Sequence, residues 1–267
     1  MNATFWRRSF VATVGALTLT SCQYYFESAS ANARVELPFG DHRDTGIVSF
    51  DAALTNDLTE LWHVDDRKPY RLALHVRPTA VAPFAPAVPT FMPIQGTNDV
   101  DPAFANDDKL LAFASDRNGG FAIYTSSRIS TNAMFVGDRG WKILIDNFKG
   151  FDMGADGKSV FVATATALDI WRRPSLDEEF KAIESRSIVG AQNAGYPSVA
   201  FDEQEILFTE QGDTYHATLS ADGKRYENKT LLKVDPTVCT HIVDADFTAD
   251  AMTIAYTCDG KIHIAHR

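Results

Sequence analysis

Three aspartates recur at one position of this chain and offer carboxylate chemistry. Asp51, Asp101 and Asp244 each lie six residues before another aspartate, near the start of an apolar run. Carboxylates brought together in this way can bind a ligand or cation, or can act as a general acid and base. Aspartate also caps turns and strand starts. We expect this structural role, with ligand binding as the alternative.

Sequence motifs for other chemistry are scarce. The chain has three cysteines, too few for a disulfide-stapled scaffold or a four-cysteine zinc site. It lacks a Gly-x-Ser-x-Gly elbow, a phosphate-binding glycine loop and a His-Glu-x-x-His motif. We therefore expect a protein without metal or cofactor and without catalytic residues.

Residues 1–22 have the pattern of an export signal. Arg7 and Arg8 precede an uncharged run, Phe10–Thr20, that is too short to span a bilayer. The run ends in Leu19-Thr20-Ser21-Cys22, which resembles the lipobox of bacterial lipoproteins. The resemblance implies that Cys22 is acylated, and Gln23 after it implies sorting to the outer membrane, facing the periplasm or the cell surface. A plain secretory signal, and export by either the general or the twin-arginine route, remain open.

The other two cysteines are placed to form a disulfide. Export brings Cys239 and Cys258 into a compartment that permits disulfides. A hairpin that turns near Asp250 brings both to the same end and sets Cys258 opposite about Ile242. The alternative is a pair of buried free thiols.

An internal repeat of about 48 residues runs through the chain. Its marker aspartates, spaced 46 to 50 residues apart, are Asp57, Asp107, Asp156, Asp202 and Asp250. Four residues after each marker stands a branched aliphatic residue: Leu61, Leu111, Val160, Ile206 and Ile254. A fixed period of this length indicates a repeat architecture.

Each copy consists of short apolar runs divided by Asp- and Gly-containing turns, which predicts strands in hairpins. In the second copy the runs are Pro102–Ala105, Leu110–Ala114 and Phe121–Thr125. Leu176–Ile183 is the best helical candidate, as one short loop helix. We therefore predict an all-β fold.

The copies resemble the TolB-type, WD-like propeller repeat. The best match begins at Asp101-Pro102 and continues through Ser115-Asp116-Arg117 to Ile123-Tyr124. The resemblance implies a β-propeller, and the repeat number implies five blades of four antiparallel strands. The predicted organisation is a signal at 1–22, a tether at 23–32 and a propeller at 33–267.

The last copy is too short to supply a fourth strand, so the N-terminal side must supply it. Val35, Leu37 and Phe39 alternate with polar residues or proline, as an outer strand requires. We predict that residues 33–39 pair with residues 261–266 and close the ring. The proline-rich segment 77–93 should be an extended connector, with a partner-contact role as the alternative.

Charge and composition restrict the partners. The chain has 25 basic and 35 acidic residues, a formal charge of −10, which disfavours binding to nucleic acid. The sequence favours a monomeric, lipid-anchored propeller that serves as a protein-binding or assembly platform in the cell envelope. The alternative is a small propeller that binds or hydrolyses glycans through its channel-mouth carboxylates.

Overall fold

The computed structural model describes residues 39–65, 67–88, 90, 96–105, 107–144, 149–233, 238–248 and 250–267. The predicted signal, the lipidation site Cys22, the tether 23–32 and residues 33–38 lie outside these ranges.

The described residues form strands and turns. In chain order the strands are β1 (Gly40–Val48), β2 (Phe50–Leu54), β3 (Glu60–Asp65), β4 (Arg71–Val76), β5 (Asp99–Ala105), β6 (Leu110–Ser115), β7 (Ala122–Ser127), β8 (Val136–Leu144), β9 (Phe151–Met153), β10 (Ser159–Ala163), β11 (Ala167–Arg172), β12 (Lys181–Ile188), β13 (Gly195–Val199), β14 (Glu205–Glu210), β15 (Asp213–Leu219), β16 (Arg225–Leu231), β17 (Ile242–Phe247), β18 (Thr253–Cys258) and β19 (Lys261–His266). The helix proposed at Leu176–Ile183 is wrong: a turn precedes Lys181, where β12 begins. Within the described ranges, no helix has the length and apolar character needed to cross a membrane.

The strands pair as antiparallel meanders. One sheet has the order β2-β3-β4, a second β5-β6-β7-β8, and a third β17-β18-β19-β1. The remaining sheet contains two meanders, β9 to β12 and β13 to β16. A short parallel pairing joins their outer strands at Ser187–Arg225 and Ile188–Tyr226.

The first strands of successive meanders surround a central channel. β2 contacts β5, β5 contacts β9, β9 contacts β13, β13 contacts β17, and β17 contacts β2 again. Antiparallel sheets arranged in a ring in this way form a β-propeller. Because the innermost strands begin at equivalent positions, every meander has one end at the channel mouth and the other at the turns that hold the marker aspartates.

Burial explains why the repeat shows in the sequence. The five branched aliphatic residues after the marker aspartates are all fully buried, at 0% exposure: Leu61, Leu111, Val160, Ile206 and Ile254. β6 is buried along its whole length, since neighbouring sheets cover both of its faces. Its sequence is therefore a nearly continuous apolar run.

A strand from the N-terminal side closes the ring, but it lies downstream of the predicted segment. β1 pairs antiparallel with β19, joining Gly40 to His266 and Val48 to Lys261. The other edge of β19 pairs with β18, so no edge remains for residues 33–39 and that prediction is wrong. β1 is mostly exposed and contains two irregularities of register. These features remove the period-two pattern that would have identified it.

In each of the first four meanders, a buried arginine or tyrosine side chain donates a hydrogen bond to a backbone carbonyl of the turn. Arg77, Arg128 and Arg173 donate from Nε to the carbonyls of Leu58, Asp108 and Gly157, at 2.5, 2.7 and 2.9 Å. Each of these carbonyls belongs to the residue after a marker aspartate. In the fourth copy the hydroxyl of Tyr226 donates to the equivalent carbonyl, that of Glu203.

The same three arginines stack on a phenylalanine seven residues later. Their guanidinium groups lie 4.3 to 4.4 Å from the ring centres of Phe84, Phe135 and Phe180. At the end of the chain, Arg267 lies 5.0 Å from the ring centre of Phe39, which precedes the closing strand. Cation–π contact thus joins the two ends of the described chain.

The proline-rich segment runs along the outer edge of β4. The N–H groups of Ala85 and Val88 donate to the carbonyls of Val76 and Leu74, and Phe84 is partly buried. The segment therefore covers the edge that a fourth strand would cover in the first meander.

The predicted disulfide is present. Cys239 and Cys258 are bonded, with their Cα atoms 5.8 Å apart, and Cys258 pairs with Ile242 as expected. The bond ties the loop before β17 to the end of β18.

Removing residues 39–48 should lower the melting temperature by roughly 10 °C or more, because the edge of β19 and the Phe39 stack are lost together. Removing residues 23–32 is the matched control and should change it by less than about 2 °C. Calorimetry on the two shortened proteins measures this. Equal melting of both at the wild-type temperature would contradict closure by β1.

Replacing both Cys239 and Cys258 by alanine should lower the free energy of unfolding by about 3 kcal/mol, since the bond closes a loop of 19 residues. Urea unfolding measures the change, with Cys22→Ser as the control. Unchanged stability, or two free thiols in the denatured wild-type protein, would contradict the pairing.

Candidate functional site

The channel mouth is built from residues with left-handed backbone at the start of each innermost strand. These residues have φ values between +45° and +86°, and they are Asp51, Asp101, Gly150, Tyr196 and Asp244. They stand at one position of the repeat. Aspartate and glycine are among the residues that enter this region at least cost, which explains their use in four of the five copies.

In four of the five copies the left-handed residue lies at a bulge, and its side chain lines the cavity at the channel mouth. The pairing registers of β2, β5, β13 and β17 all shift beside these residues. A bulge re-aims a side chain and increases the local twist. The sequence thus positions the mouth residues through backbone conformation.

Carboxylates at the mouth join neighbouring sheets. Asp51 Oδ2 accepts the backbone N–H of Asp101 at 2.7 Å, and Asp101 Oδ2 accepts the N–H of Phe151 at 2.6 Å. Both bonds run from one meander to the next. We expected these aspartates to cap turns and strand starts. The N–H groups that they bind belong to the next meander, so these aspartates join neighbouring sheets.

Two residues beyond the mouth position, other side chains also accept a backbone N–H of the next meander. Asp152 Oδ2 accepts the N–H of Val199 at 2.6 Å, and Ser198 Oγ accepts the N–H of Phe247 at 2.8 Å. Asp244 also bonds across the seam between the fourth and fifth meanders, where its N–H donates to Thr209 Oγ1 on β14 at 3.1 Å. Four seams of the ring therefore have a side-chain acceptor for a backbone N–H.

The side chains line a small cavity of about 20 Å³, which has room for about one water molecule. Five carboxyl groups line it, those of Asp51, Asp101, Asp152, Asp244 and Asp246, together with Tyr196. No lysine, arginine or histidine is among the described residues that line it. The cavity is therefore acidic and contains no internal counter-charge from the lining residues.

Burial of these carboxyl groups favours their neutral forms. It raises the pKa of Asp51 to about 7, with the Asp244 carboxylate adding repulsion, and it raises the pKa of Asp152 to about 7. Burial likewise raises the pKa of Asp244 to about 6. Desolvation and neighbouring carboxylates hold the pKa values of Asp101 and Asp246 well above the usual range.

One tyrosine lines this cavity and a second lies close to it. Tyr196 is half-buried, and burial raises the pKa of its hydroxyl, with Asp51, Asp101, Asp244 and Tyr70 contributing. Tyr70 is also half-buried and meets the ring of Phe50 edge-on at 5.6 Å. The mouth thus combines aromatic faces with acidic groups.

The structure brings the three sequence-predicted aspartates to one cavity. Asp152, Asp246 and Tyr196 also line it and were missed by sequence reasoning. Their signal was the repeat itself: Tyr196 occupies the mouth position of the fourth copy, and Asp152 and Asp246 each lie two residues beyond a mouth position. In the described part of the chain, no three histidine, cysteine, aspartate or glutamate side chains are grouped to hold a metal ion.

Comparison with known proteins gives no family. No family model matches the chain, and no curated protein matches it. Similar solved structures include the hydrazine synthase of Kuenenia stuttgartiensis, at 11% identity and TM-score 0.46, over 86% of this chain and 59% of that chain. TolB of Acinetobacter baumannii has 12% identity and TM-score 0.45, over 82% of this chain and 54% of that chain.

A functionally unknown protein from Desulfotomaculum acetoxidans has 12% identity and TM-score 0.44, over 79% of each chain. The chain spans a little over half the length of the first two structures. The strand topology and the ring of innermost strands define the fold.

The raised pKa values predict how Asp51→Asn responds to pH. The folded protein holds the Asp51 proton more tightly than the unfolded chain, so this contribution is present below about pH 4 and is lost as the pH rises through about 7. Asparagine keeps an oxygen to accept the N–H of Asp101 and tolerates left-handed backbone. The variant should come closest to wild type below about pH 4, where the Asp51 carboxyl is protonated in both states, and should melt roughly 3–8 °C higher at pH 8.

The exposed Asp202→Asn is the matched control and should show no such pH-dependent difference. Thermal melts of the three proteins across this pH range measure the effect. A variant that melts below wild type at pH 8 would show that the carboxylate stabilises the ring in its charged form.

Proposed function

We propose that this chain is a monomeric, lipid-anchored β-propeller of the bacterial cell envelope that serves as a non-catalytic protein-binding or assembly platform. The anchor is the acylated Cys22 at the outer membrane, the propeller has five blades, and no cofactor takes part. The observation that carries the binding proposal is the acidic, tyrosine-rimmed channel mouth.

The five-blade count is supported by the cyclic order of the innermost strands, β2, β5, β9, β13 and β17. It is supported further by the left-handed residue that begins each of the five repeat copies. The first blade has β2, β3 and β4, with the segment around Val88 along its outer edge, and the last blade is completed by β1.

The mouth has the chemistry to receive a basic side chain of a partner protein. A lysine or arginine would gain cation–π contact with Tyr70 and Tyr196 and would neutralise carboxyl groups such as Asp51. Tyrosine is also enriched among the residues that contribute most to protein interfaces. The mouth is therefore the surface at which we place partner binding.

The same mouth supports a second candidate, the binding or hydrolysis of an envelope glycan. Sugar rings stack on aromatic faces, and carboxyl groups with raised pKa values, such as Asp152, can act as general acids. Release of reducing ends from envelope glycan, abolished by Asp152→Asn, would establish this function in place of the platform.

Replacing Cys22 by serine should release the protein from membranes, because the acyl chains would no longer be attached. Fractionation of cells that express either form measures the distribution, with Cys239→Ala/Cys258→Ala as a variant that keeps the anchor. Retention of Cys22→Ser in the membrane fraction at the wild-type level would contradict the anchor.

Partner binding at the mouth can be tested by placing a photoreactive phenylalanine analogue at Tyr70 in the anchored protein. Crosslinking in envelope fractions should give a discrete protein adduct, and Asp51→Asn/Asp244→Asn should reduce its yield several-fold. The matched control carries the analogue at the exposed Ile183 on β12. The same adducts from both positions, or no loss in the aspartate variant, would contradict recognition at the mouth.

A further inference from the structure

The end of the propeller opposite the mouth has a distinct surface, here called the turn face. It consists of the turns Asn56–Thr59, Asp107–Lys109, Gly154–Lys158, Ala200–Gln204 and Asp250–Met252, with the loops between the outer strands at the same end. Neighbouring turns meet there, since the N–H groups of Asn56 and Asp250 donate to Asp108 Oδ2 and Asn56 Oδ1.

Large apolar side chains are exposed on the turn face. They are Val81, Ile129, Met134, Phe201 and Met252, with exposed fractions from 51% to 91%. On the mouth side the exposed large apolar residues among the described ones are Val48, Val189 and Val238. The more exposed set therefore lies away from the channel mouth.

The chain enters the propeller at the turn face. Gly40 pairs with His266 at the end of β19, and the backbone N–H of Arg267 donates to the carbonyl of Met252. Phe39 packs against Phe247 at 6.3 Å between ring centres. Sixteen residues separate Phe39 from Cys22 in the sequence.

The charge of the turn face restricts which membrane surface it suits. All five marker aspartates are exposed there, and the loops between the outer strands add the exposed Asp177, Glu178, Glu179 and Asp222. The basic residues that are exposed or half-buried in the same turns and loops are Lys109, Lys158, Lys224 and Arg225. An acidic surface is repelled by anionic headgroups. Uncharged, zwitterionic headgroups accept apolar side chains without that cost.

We propose that the turn face is the membrane-facing surface of the anchored protein and contacts zwitterionic phospholipid through its exposed apolar side chains. The proposal rests on the lipid anchor at Cys22. It directs the acidic mouth away from the membrane, toward a partner. The attachment point, the apolar side chains and the acidic turns all lie at one end of the molecule.

The test uses the full lipidated chain with one added cysteine that carries an environment-sensitive nitrobenzoxadiazole label. Ile129→Cys and Met252→Cys report on the turn face. Val189→Cys, whose parent side chain is 48% exposed against 51% for Met252, is the matched control on the mouth side. The proteins are bound to phosphatidylcholine vesicles that contain spin-labelled lipid, and quenching is measured after flotation.

Quenching at Ile129→Cys and Met252→Cys should exceed that at Val189→Cys at least threefold. Replacing a third of the lipid by phosphatidylglycerol should reduce it. Equal quenching at all three positions on floated protein would overturn the orientation and leave the anchor intact. Protein that does not float with the vesicles would overturn both, and stronger quenching on anionic lipid would overturn the headgroup assignment.

Discussion

Hydrogen bonds from backbone N–H groups to side-chain oxygens of the preceding sheet hold the inner ring of this propeller together. Among the described strands, adjacent meanders are not paired with one another at the channel, so the polar groups of each innermost strand need another partner. Asp51, Asp101, Asp152 and Ser198 provide it at four seams. Because an unsatisfied buried N–H is costly, these oxygens determine how closely the sheets approach.

This arrangement concentrates carboxyl groups in a cavity that no lysine, arginine or histidine among the described residues lines. Burial raises the pKa values of the carboxyl groups, so the folded protein retains protons that the unfolded chain releases. The geometry that joins the sheets therefore also creates an acidic mouth. The carboxyl groups that join the sheets are therefore also those of the candidate binding surface.

Much of the fold could be predicted from sequence because each copy repeats the same burial. The branched aliphatic column at Leu61, Leu111 and their equivalents reports a strand buried on both faces. The closing strand could not be predicted, because β1 is exposed, polar and irregular in register. The disulfide was predictable, since a hairpin that turns near Asp250 brings Cys239 and Cys258 to the same end.

The repeat also explains why only part of the candidate site could be predicted from the sequence. Asp51, Asp101 and Asp244 share a repeat position, but Gly150 and Tyr196 occupy it in the other copies, where residue type alone gives no sign of a common role. What the copies share is positive φ, which is a property of the backbone. The arginines that bind the turn carbonyls were missed similarly, because the fourth copy uses Tyr226 in their place.

The proposed membrane contact at one end of the molecule and the proposed partner binding at the other both depend on a ring closed by side-chain acceptors at the channel. Amide hydrogen exchange measured by nuclear magnetic resonance tests this most directly. The N–H groups of Asp101, Phe151, Val199 and Phe247 should exchange as slowly as those in the centre of β6, although they border the channel. Exchange of these four at the rate of exposed turns such as Asp202–Gln204 would contradict the account.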